Sequence, residues 1–200
     1  MGHTLSFVIA SQNQGKIGEF NRILSALGIS CTGAKLDDVE ETGATFTENT
    51  LLKARAAFKK TGLPVIADDS GLMVDALGGA PGVYSARYAG PEADSEQNNQ
   101  KLLKALAGVK NRKARFVCAI CCILPGGEEI VLDGVCTGTI AQSPKGENGF
   151  GYDCLFICEN GRTFGELDDR EKDFLSHRGH ALRKLYTILS EKDLNQYVKQ

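Results

Sequence analysis

Ala67-Asp68-Asp69-Ser70-Gly71 sets two carboxylates, a hydroxyl and a glycine directly after Pro64-Val65-Ile66-Ala67, a short apolar run of the kind a buried strand uses. Ending such a strand in two adjacent charges is costly unless they are solvated in a cleft, paired, or bound to a metal. In sheets built from alternating strands and helices, strand ends are where ligands bind. Neighbouring side chains in a strand point to opposite sides, so Asp68 and Asp69 are expected to do different work, with only one facing a cleft. A hard cation such as Mg²⁺ takes one or two carboxylates plus phosphate oxygens, which would suit Asp69 together with Glu41. The competing reading is that Asp68, Asp69 or Ser70 simply caps a turn or a helix.

Three other segments could carry chemistry. Ser11-Gln12-Asn13-Gln14-Gly15-Lys16 lies between a strand-like and a helix-like stretch, a natural cradle for phosphate. It is not a Walker motif, because Ala10 stands where glycine is required and Ile17 replaces the Ser or Thr after the lysine. A polar turn with a solvated Lys16 would look the same. Gly149-Phe150-Gly151-Tyr152-Asp153 sets an aromatic ring between glycines, a platform for stacking a base, although core anchoring is the commoner fate of Phe. Glu171-Lys172 and Ser176-His177-Arg178-Gly179 are expected at the start of the last helix. Free backbone N–H groups and an arginine there would suit an anion or a carbonyl oxygen, and an ordinary N-cap is the alternative. Glu40 and Glu41 read equally as solvated loop. Glu48 reads as the capping partner of Thr45, and Asn49 with Lys53, four apart on one helix face, as a polar site wall or merely a wet face.

The elements that must position these residues follow from periodicity. Leu5 to Ala10 reads as a first strand, and Ile17, Phe20, Ile23, Leu24 and Leu27 give Lys16 to Leu27 a helical period with Gly28 as its C-cap. Thr45-Phe46-Thr47-Glu48 opens a second helix to about Lys60, stopped by Gly62-Leu63-Pro64. Asp94 or Ser95 caps a third, running to about Ala107. Arg115–Leu124 and Ile130–Thr139 flank Pro125-Gly126-Gly127 as a hairpin. A Gly- and Pro-containing loop, Ser143 to Gly151, leads to a strand at Cys154–Cys158, and Ser176 caps a last helix from His177 to about Leu189. The class is α/β with a mixed sheet, in two lobes around a cleft.

Composition bounds the partners. The chain has 200 residues, with 23 Lys plus Arg against 25 Asp plus Glu, a net charge of -2. That balance argues against a broad electrostatic hold on nucleic acid. At this length about 70% of the unfolded surface can be buried, enough for a core without disulfides. The seven cysteines are odd in number. Cys118 and Cys121 have C-x-x-C spacing inside a strand-like run, where alternation sends their thiols to opposite faces. The cysteines are expected as reduced, core-filling residues of a cytoplasmic protein. The first residues lead straight into a strand-like run too short for a signal peptide's apolar region or a membrane span.

Together these segments describe lysines for phosphate, carboxylates for a metal, an aromatic for stacking and donors for a carbonyl. The chain resembles the inosine triphosphate pyrophosphatase family, in its bacterial-type branch that hydrolyses non-canonical purine nucleoside triphosphates. The likeness runs nearly end to end, through Ala10–Lys16, Glu41–Asn49, Ala67–Gly90, Gly149–Asp153, Glu171-Lys172 and Ser176–Gly179. It implies that Ser11, Gln12, Asn13, Gln14, Gly15 and Lys16 hold the triphosphate with help from Lys53. It implies Glu41 and Asp69 as ligands for Mg²⁺, with Asp69 also the catalytic proton acceptor, and Ser70 in contact with substrate. Phe150, Gly151, Tyr152, Asp153, Lys172, His177 and Arg178 would form the nucleobase pocket. The implied fold is an elongated mixed sheet flanked by helices, residues 1–200 forming one catalytic domain of two lobes. The implied assembly is a homodimer, and the implied reaction cleaves ITP, dITP or XTP to the monophosphate and pyrophosphate.

The chemistry is compatible with that likeness. Phosphoryl transfer needs positioning and charge neutralisation more than covalent help, so lysines and one metal suffice. Hypoxanthine and xanthine carry a 6-oxo acceptor where adenine has an amino donor, and donors from Arg178 and the helix start would favour the former. Three positions depart from the family pattern: Gly18 in place of a basic residue, Cys154 in place of proline, and Lys145 in place of arginine. None removes a proposed catalytic group. A pyrophosphatase for pyrimidine or modified nucleotides, and a non-catalytic nucleotide-binding module with no need of Asp69 and Glu41, are the alternatives.

Overall fold

The structure, a computed structural model, describes residues 6–33 and 39–192. Leu5, the expected start of the first strand, lies outside the described residues. The elements run β1 (Ser6–Ile9), α1 (Gln14–Ala26), β2 (Ser30–Gly33), α2 (Phe46–Thr61), β3 (Val65–Val74), α3 (Ser95–Ala105), β4 (Lys113–Ile123), β5 (Glu129–Ile140), β6 (Phe156–Ile157), α4 (Asp169–Leu175) and α5 (His177–Ser190), with short 3₁₀ turns between them. Six strands form one sheet in the order β2-β1-β3-β4-β5-β6. β1 is parallel to β2 and to β3, whereas β5 and β6 are antiparallel, so the sheet is mixed and the fold is α/β as expected. No helix of the described residues is long and apolar enough to cross a membrane.

Local chemistry explains where the helices begin and end. Asn13 caps α1 by accepting the Lys16 N–H at 3.0 Å. The helix closes on Gly28, at φ +76°, where the Gly28 N–H reaches Ser25 O and the Ile29 N–H reaches Leu24 O, the paired bonds of a Schellman ending. Thr45 caps α2 by accepting the Glu48 N–H at 3.1 Å, while Glu48 reaches back to the Ala44 N–H at 2.6 Å, and Gly62 ends the helix. Asp94 and Gln97 form a complete capping box on α3.

Three expectations are corrected. β3 does not stop at the two carboxylates but runs through them to Val74. The strand expected over 154–158 is only Phe156–Ile157, because the Tyr152 carbonyl accepts both the Leu155 and Phe156 N–H groups and curls the chain into a turn. Glu171 and Lys172 belong not to the last helix but to a separate helix, α4, capped by Asp168; Ser176 takes an extended conformation that breaks the two apart. The polar strand β2 was not expected.

The described chain divides into two compact units, Met1–Asp69 with Cys118–Gly134 and Ala181–Gln200, and Ser70–Val117 with Val135–His180. In the first unit the sheet is covered on both faces. Phe7 and Ile9 pack with Phe20 and Leu24 of α1 and with Leu182, Leu185 and Leu189 of α5. Val8 and Ala10 turn the other way, toward Ala54 and Ala57 of α2. β4 alternates likewise: Cys118, Ile120 and Cys122 enter the first cluster, Cys121 and Ile123 the second. The C-x-x-C thiols therefore lie on opposite faces, and all seven cysteines are free. The second unit has its own core, built on Leu72, Leu102, Leu106, Tyr152 and the rings of Phe116, Phe156 and Phe164. Phe156 tilts against Phe116 at 4.7 Å and against Phe164 at 5.0 Å between centroids, the edge-biased geometry aromatic quadrupoles favour.

α2 carries several of the candidate residues, so its cap has functional weight. Thr45→Ala is expected to cost about 1 kcal/mol, lowering the melting temperature by about 2–4 °C. Thermal denaturation followed by circular dichroism measures it.

Candidate active site

In the first unit, the candidate residues fall on both faces of β3. Asp68 and Asp69 are buried, at 1% and 5% exposure, and strand alternation gives them different neighbours. Asp68 faces the α1 side, where its Oδ2 lies 3.1 Å from Lys16 Nζ and 3.9 Å from Cys118 Sγ. Asp69 faces α2. Its Oδ2 accepts from Asn49 Nδ2 at 3.1 Å, and its Oδ1 lies 3.6 Å from Lys53 Nζ. The same ammonium reaches Glu41 Oε1 at 2.7 Å, so one lysine joins the two carboxylates expected to share a metal. Among the three nearby glutamates, Glu48 is engaged at the start of α2 and Glu41 is the one that shares Lys53 with Asp69.

The charges respond to this crowding. Burial pushes the Asp69 carboxyl above the ordinary carboxylate range and Glu41 adds to the rise; Lys53, Lys16 and the Asn49 hydrogen bond pull against it without cancelling it. Burial alone would lower Lys53, but the charges of Asp68, Asp69 and Glu41 and its hydrogen bond to Glu41 hold the ammonium above its usual value. Among the described residues, no three His, Cys, Asp or Glu side chains gather to hold a metal by themselves. Asp69 and Glu41 offer two hard carboxylates, the donor set of a cation that completes its shell with phosphate oxygens and water.

The start of α1 is built from the residues expected to cradle phosphate. The Asn13 N–H donates to Ser11 Oγ at 3.2 Å and Gln14 Nε2 to the Gln12 carbonyl at 3.4 Å, so part of this polar chemistry folds the turn itself. Gln12, Asn13 and Gln14 are exposed, with Ser11, Gly15 and Lys16 half-buried. The first turn contains no acidic residue, leaving the positive end of the helix dipole uncompensated by its own side chains.

The second unit gathers the residues expected around a base. Asp153 Oδ2 accepts from the Phe150 N–H at 2.8 Å and from Lys172 Nζ at 2.5 Å, and that ammonium sits 4.6 Å from the Phe150 ring centroid. Gly149 makes the turn possible: its φ is +77°, and a Cβ there would lie 2.1 Å from Asp153 Oδ2. Asn99 of α3 steadies the loop by donating to the Gly151 carbonyl at 2.9 Å and the Cys154 sulfur at 3.4 Å. Tyr152 is placed differently from Phe150. It is buried in the core, and its hydroxyl donates to Ser85 O at 2.8 Å. His177 stacks face to face on Phe116 at 4.7 Å. Arg178, the largest fully buried side chain, donates from Nη2 to Ser70 Oγ at 2.9 Å. Ser176 accepts the Gly179 N–H and so caps α5.

Asn99, Ser85 and Phe116 join these clusters without having been singled out in the sequence. Asn49, read with Lys53 as a polar site wall or a wet face, faces Asp69. Ser85 gives the long Asp75–Tyr88 segment a role: its Oγ accepts the Leu72 N–H and donates to Gly82 O, while its carbonyl receives Tyr152. Nothing in the sequence marked Phe116 as the ring beneath His177.

Comparison with known proteins shows the family. A family model described as the Ham1 family matches residues 7–188. The chain is 52% identical over 187 residues to a dITP/XTP pyrophosphatase of Exiguobacterium sp., covering 90% of this chain and 95% of that one. The solved Ham1 protein of Staphylococcus aureus superposes with a TM-score of 0.83 at 46% identity, covering 94% of this chain and 100% of that one. A HAM1 protein from Coxiella burnetii does so with a TM-score of 0.85 at 45% identity and the same coverage.

The raised Asp69 carboxyl has a stability cost with a definite sign. The folded state binds that proton more tightly than the unfolded chain, so stability is full below the ordinary aspartate range and falls as pH rises through the folded value. With a chelator present at neutral pH, Asp69→Asn is expected to melt a few degrees above the parent, and the gap should close on acidification. Melting curves across pH test this; a variant that melts lower at neutral pH contradicts it.

Proposed function

The chain belongs to the Ham1 family, and from that premise we propose that it hydrolyses the non-canonical purine nucleoside triphosphates ITP, dITP and XTP to the monophosphate and pyrophosphate, clearing them from the nucleotide pool. It is a hydrolase of the α–β phosphoanhydride, and residues 1–200 act as one nucleoside-triphosphate pyrophosphatase domain. The observation that carries the reading is the Asp69–Lys53–Glu41 arrangement. Two carboxylates share one ammonium beside the Lys16–Asp68 pair, a cluster of paired charges that a bound polyphosphate and cation can take over.

In this reading Ser11 to Lys16 hold the triphosphate, using the α1 backbone N–H groups and the Lys16 and Lys53 ammonium groups. Asp69 and Glu41 hold Mg²⁺, which when bound neutralises phosphate charge and orients the anhydride. The Asp69 carboxylate takes the proton of the attacking water. A new phosphorus–oxygen bond forms at the phosphate that stays with the nucleoside, the α–β bridge breaks, and pyrophosphate leaves with the bridging oxygen. A carboxyl raised by burial is a stronger base than an ordinary aspartate, which suits that task. Ser70 contacts substrate. Phe150 stacks on the base, Gly151 and Asp153 line it with Lys172 while Tyr152 anchors their loop in the core, and His177 and Arg178 present donors to the 6-oxo group. The reading extends to a homodimer in the cytoplasm, with a free purine nucleotide as its ligand and neither nucleic acid nor membrane as a partner.

Mg²⁺-dependent pyrophosphate release across a nucleotide panel tests the proposal. Release is expected from ITP, dITP and XTP and not from ATP, with Asp69→Asn losing about 10²–10⁴-fold in kcat while remaining folded. Release from pyrimidine or modified nucleotides alone would overturn the substrate class, and release from none would leave a nucleotide-binding module.

The base assignment has its own test. Arg178→Ala should reduce the ITP-to-ATP preference by about tenfold or more, the worth of a hydrogen bond from a charged donor. An unchanged ratio in a folded variant would contradict it.

A further inference from the structure

Asn49 has zero exposure, yet it is a polar side chain in the middle of the cluster. Both ends of its amide are used. Nδ2 donates to Asp69 Oδ2 at 3.1 Å, and Oδ1 accepts the Gly43 N–H at 2.8 Å. Gly43 stands two residues after Glu41 in the chain. The same amide therefore joins the Asp69 carboxylate to the backbone of the segment that carries Glu41. The other oxygen, Asp69 Oδ1, is the one near Lys53 Nζ, and Lys53 Nζ is the group that meets Glu41 Oε1.

We propose that Asn49 is a positioning residue for metal binding: it occupies Asp69 Oδ2 so that Oδ1 is presented toward Glu41, and it locks the Glu41 segment to that carboxylate. The inference rests on the reading of Asp69 and Glu41 as metal ligands. Partners that orient metal-binding carboxylates act through such bonds. The residue type is specific. A short side chain that donates to a carboxylate from one atom and accepts a backbone N–H on another, as both ends of Asn49 do, is an amide. Aspartate has no donor when ionised, serine has a single oxygen, and glutamine is longer by a methylene. The glycine is also specific, because a Cβ on Gly43 would lie 2.7 Å from Asn49 Oδ1 and 2.7 Å from Glu48 Cβ. Close approach of the Gly43 backbone is thus a condition of the Asn49 bond.

The test is Mn²⁺ titration of the folded full chain, followed by electron paramagnetic resonance, for the parent, Asn49→Ala, Gly43→Ala, the double variant and Asp69→Asn. Asn49→Ala is expected to weaken Mn²⁺ binding by about 10–100-fold, with the number of sites per folded chain unchanged. The Mg²⁺ concentration for half-maximal pyrophosphate release should rise in parallel. Gly43→Ala, which removes no group facing Asp69, should shift affinity the same way, and the double variant should bind no worse than Asn49→Ala alone. A purely structural Asn49 would instead lower the number of competent sites and leave their affinity intact, which overturns the proposal, as does full additivity of the two substitutions. If Asn49→Ala does not fold, Gly43→Ala and Asn49→Ser carry the measurement. Asp69→Asn separates the two levels. Affinity lost there but kept in Asn49→Ala and Gly43→Ala sinks this inference alone. Parent-like affinity in Asp69→Asn sinks the metal assignment, and this inference falls with it.

Discussion

Two adjacent buried carboxylates in the middle of a strand are the constraint on which the first unit depends. Neither Asp68 nor Asp69 can be left as an isolated ion in a low-dielectric interior, since an unpaired buried charge costs several kcal/mol at least. The strand's two-residue period sends them to opposite faces, so one counterion cannot serve both directly. The fold answers with a lysine from each covering helix, Lys16 from α1 and Lys53 from α2, which fixes where those helices must start and how they lie on the sheet. Capping, glycine placement and the Asn49 bridge are all subordinate to that arrangement. The balance is incomplete at Asp69, where burial still outweighs the positive charges.

The second unit solves a different problem, holding polar groups rigidly against aromatic surface. Lys172 is buried between a carboxylate and the face of Phe150, which uses both the charge and the ring quadrupole. His177 lies flat on Phe116, and Phe116 is itself packed by Phe156 and Phe164. A ring supported in this way has little rotational freedom, so the groups around it are set before any ligand arrives. Such preorganisation lowers the cost of binding.

Much of this was legible in the amino-acid sequence where local chemistry decides. The Thr45 cap, the Gly28 and Gly62 helix endings and the opposite facing of Cys118 and Cys121 all follow from rules that act within a few residues. What escaped was set by distant partners. Two carboxylates after a short apolar run argue for a strand end, but β3 continues because Lys16 and Lys53, far away in the chain, neutralise them. Glu171 and Lys172 read as part of the last helix because no proline or glycine separates them from it; the break comes from the backbone of Ser176. Among Glu40, Glu41 and Glu48, nothing local in the sequence marks Glu41 as the one that bonds to Lys53. The ring under His177 comes from β4, with no local signal at all.

The cysteines have a consequence in reactivity. Five are buried and Cys31 and Cys154 half-buried, and burial drives the Cys31 thiol to about 11 and those of Cys121 and Cys136 to about 12. Nucleophilic and oxidative chemistry runs through the thiolate, and at neutral pH that form is present in fewer than about one in a thousand of such side chains. These three thiols therefore form a chemically quiet background. Cys31, Cys121 and Cys136 need no removal for the protein to take a probe: a thiol added on the exposed surface would outcompete them for an alkylating reagent.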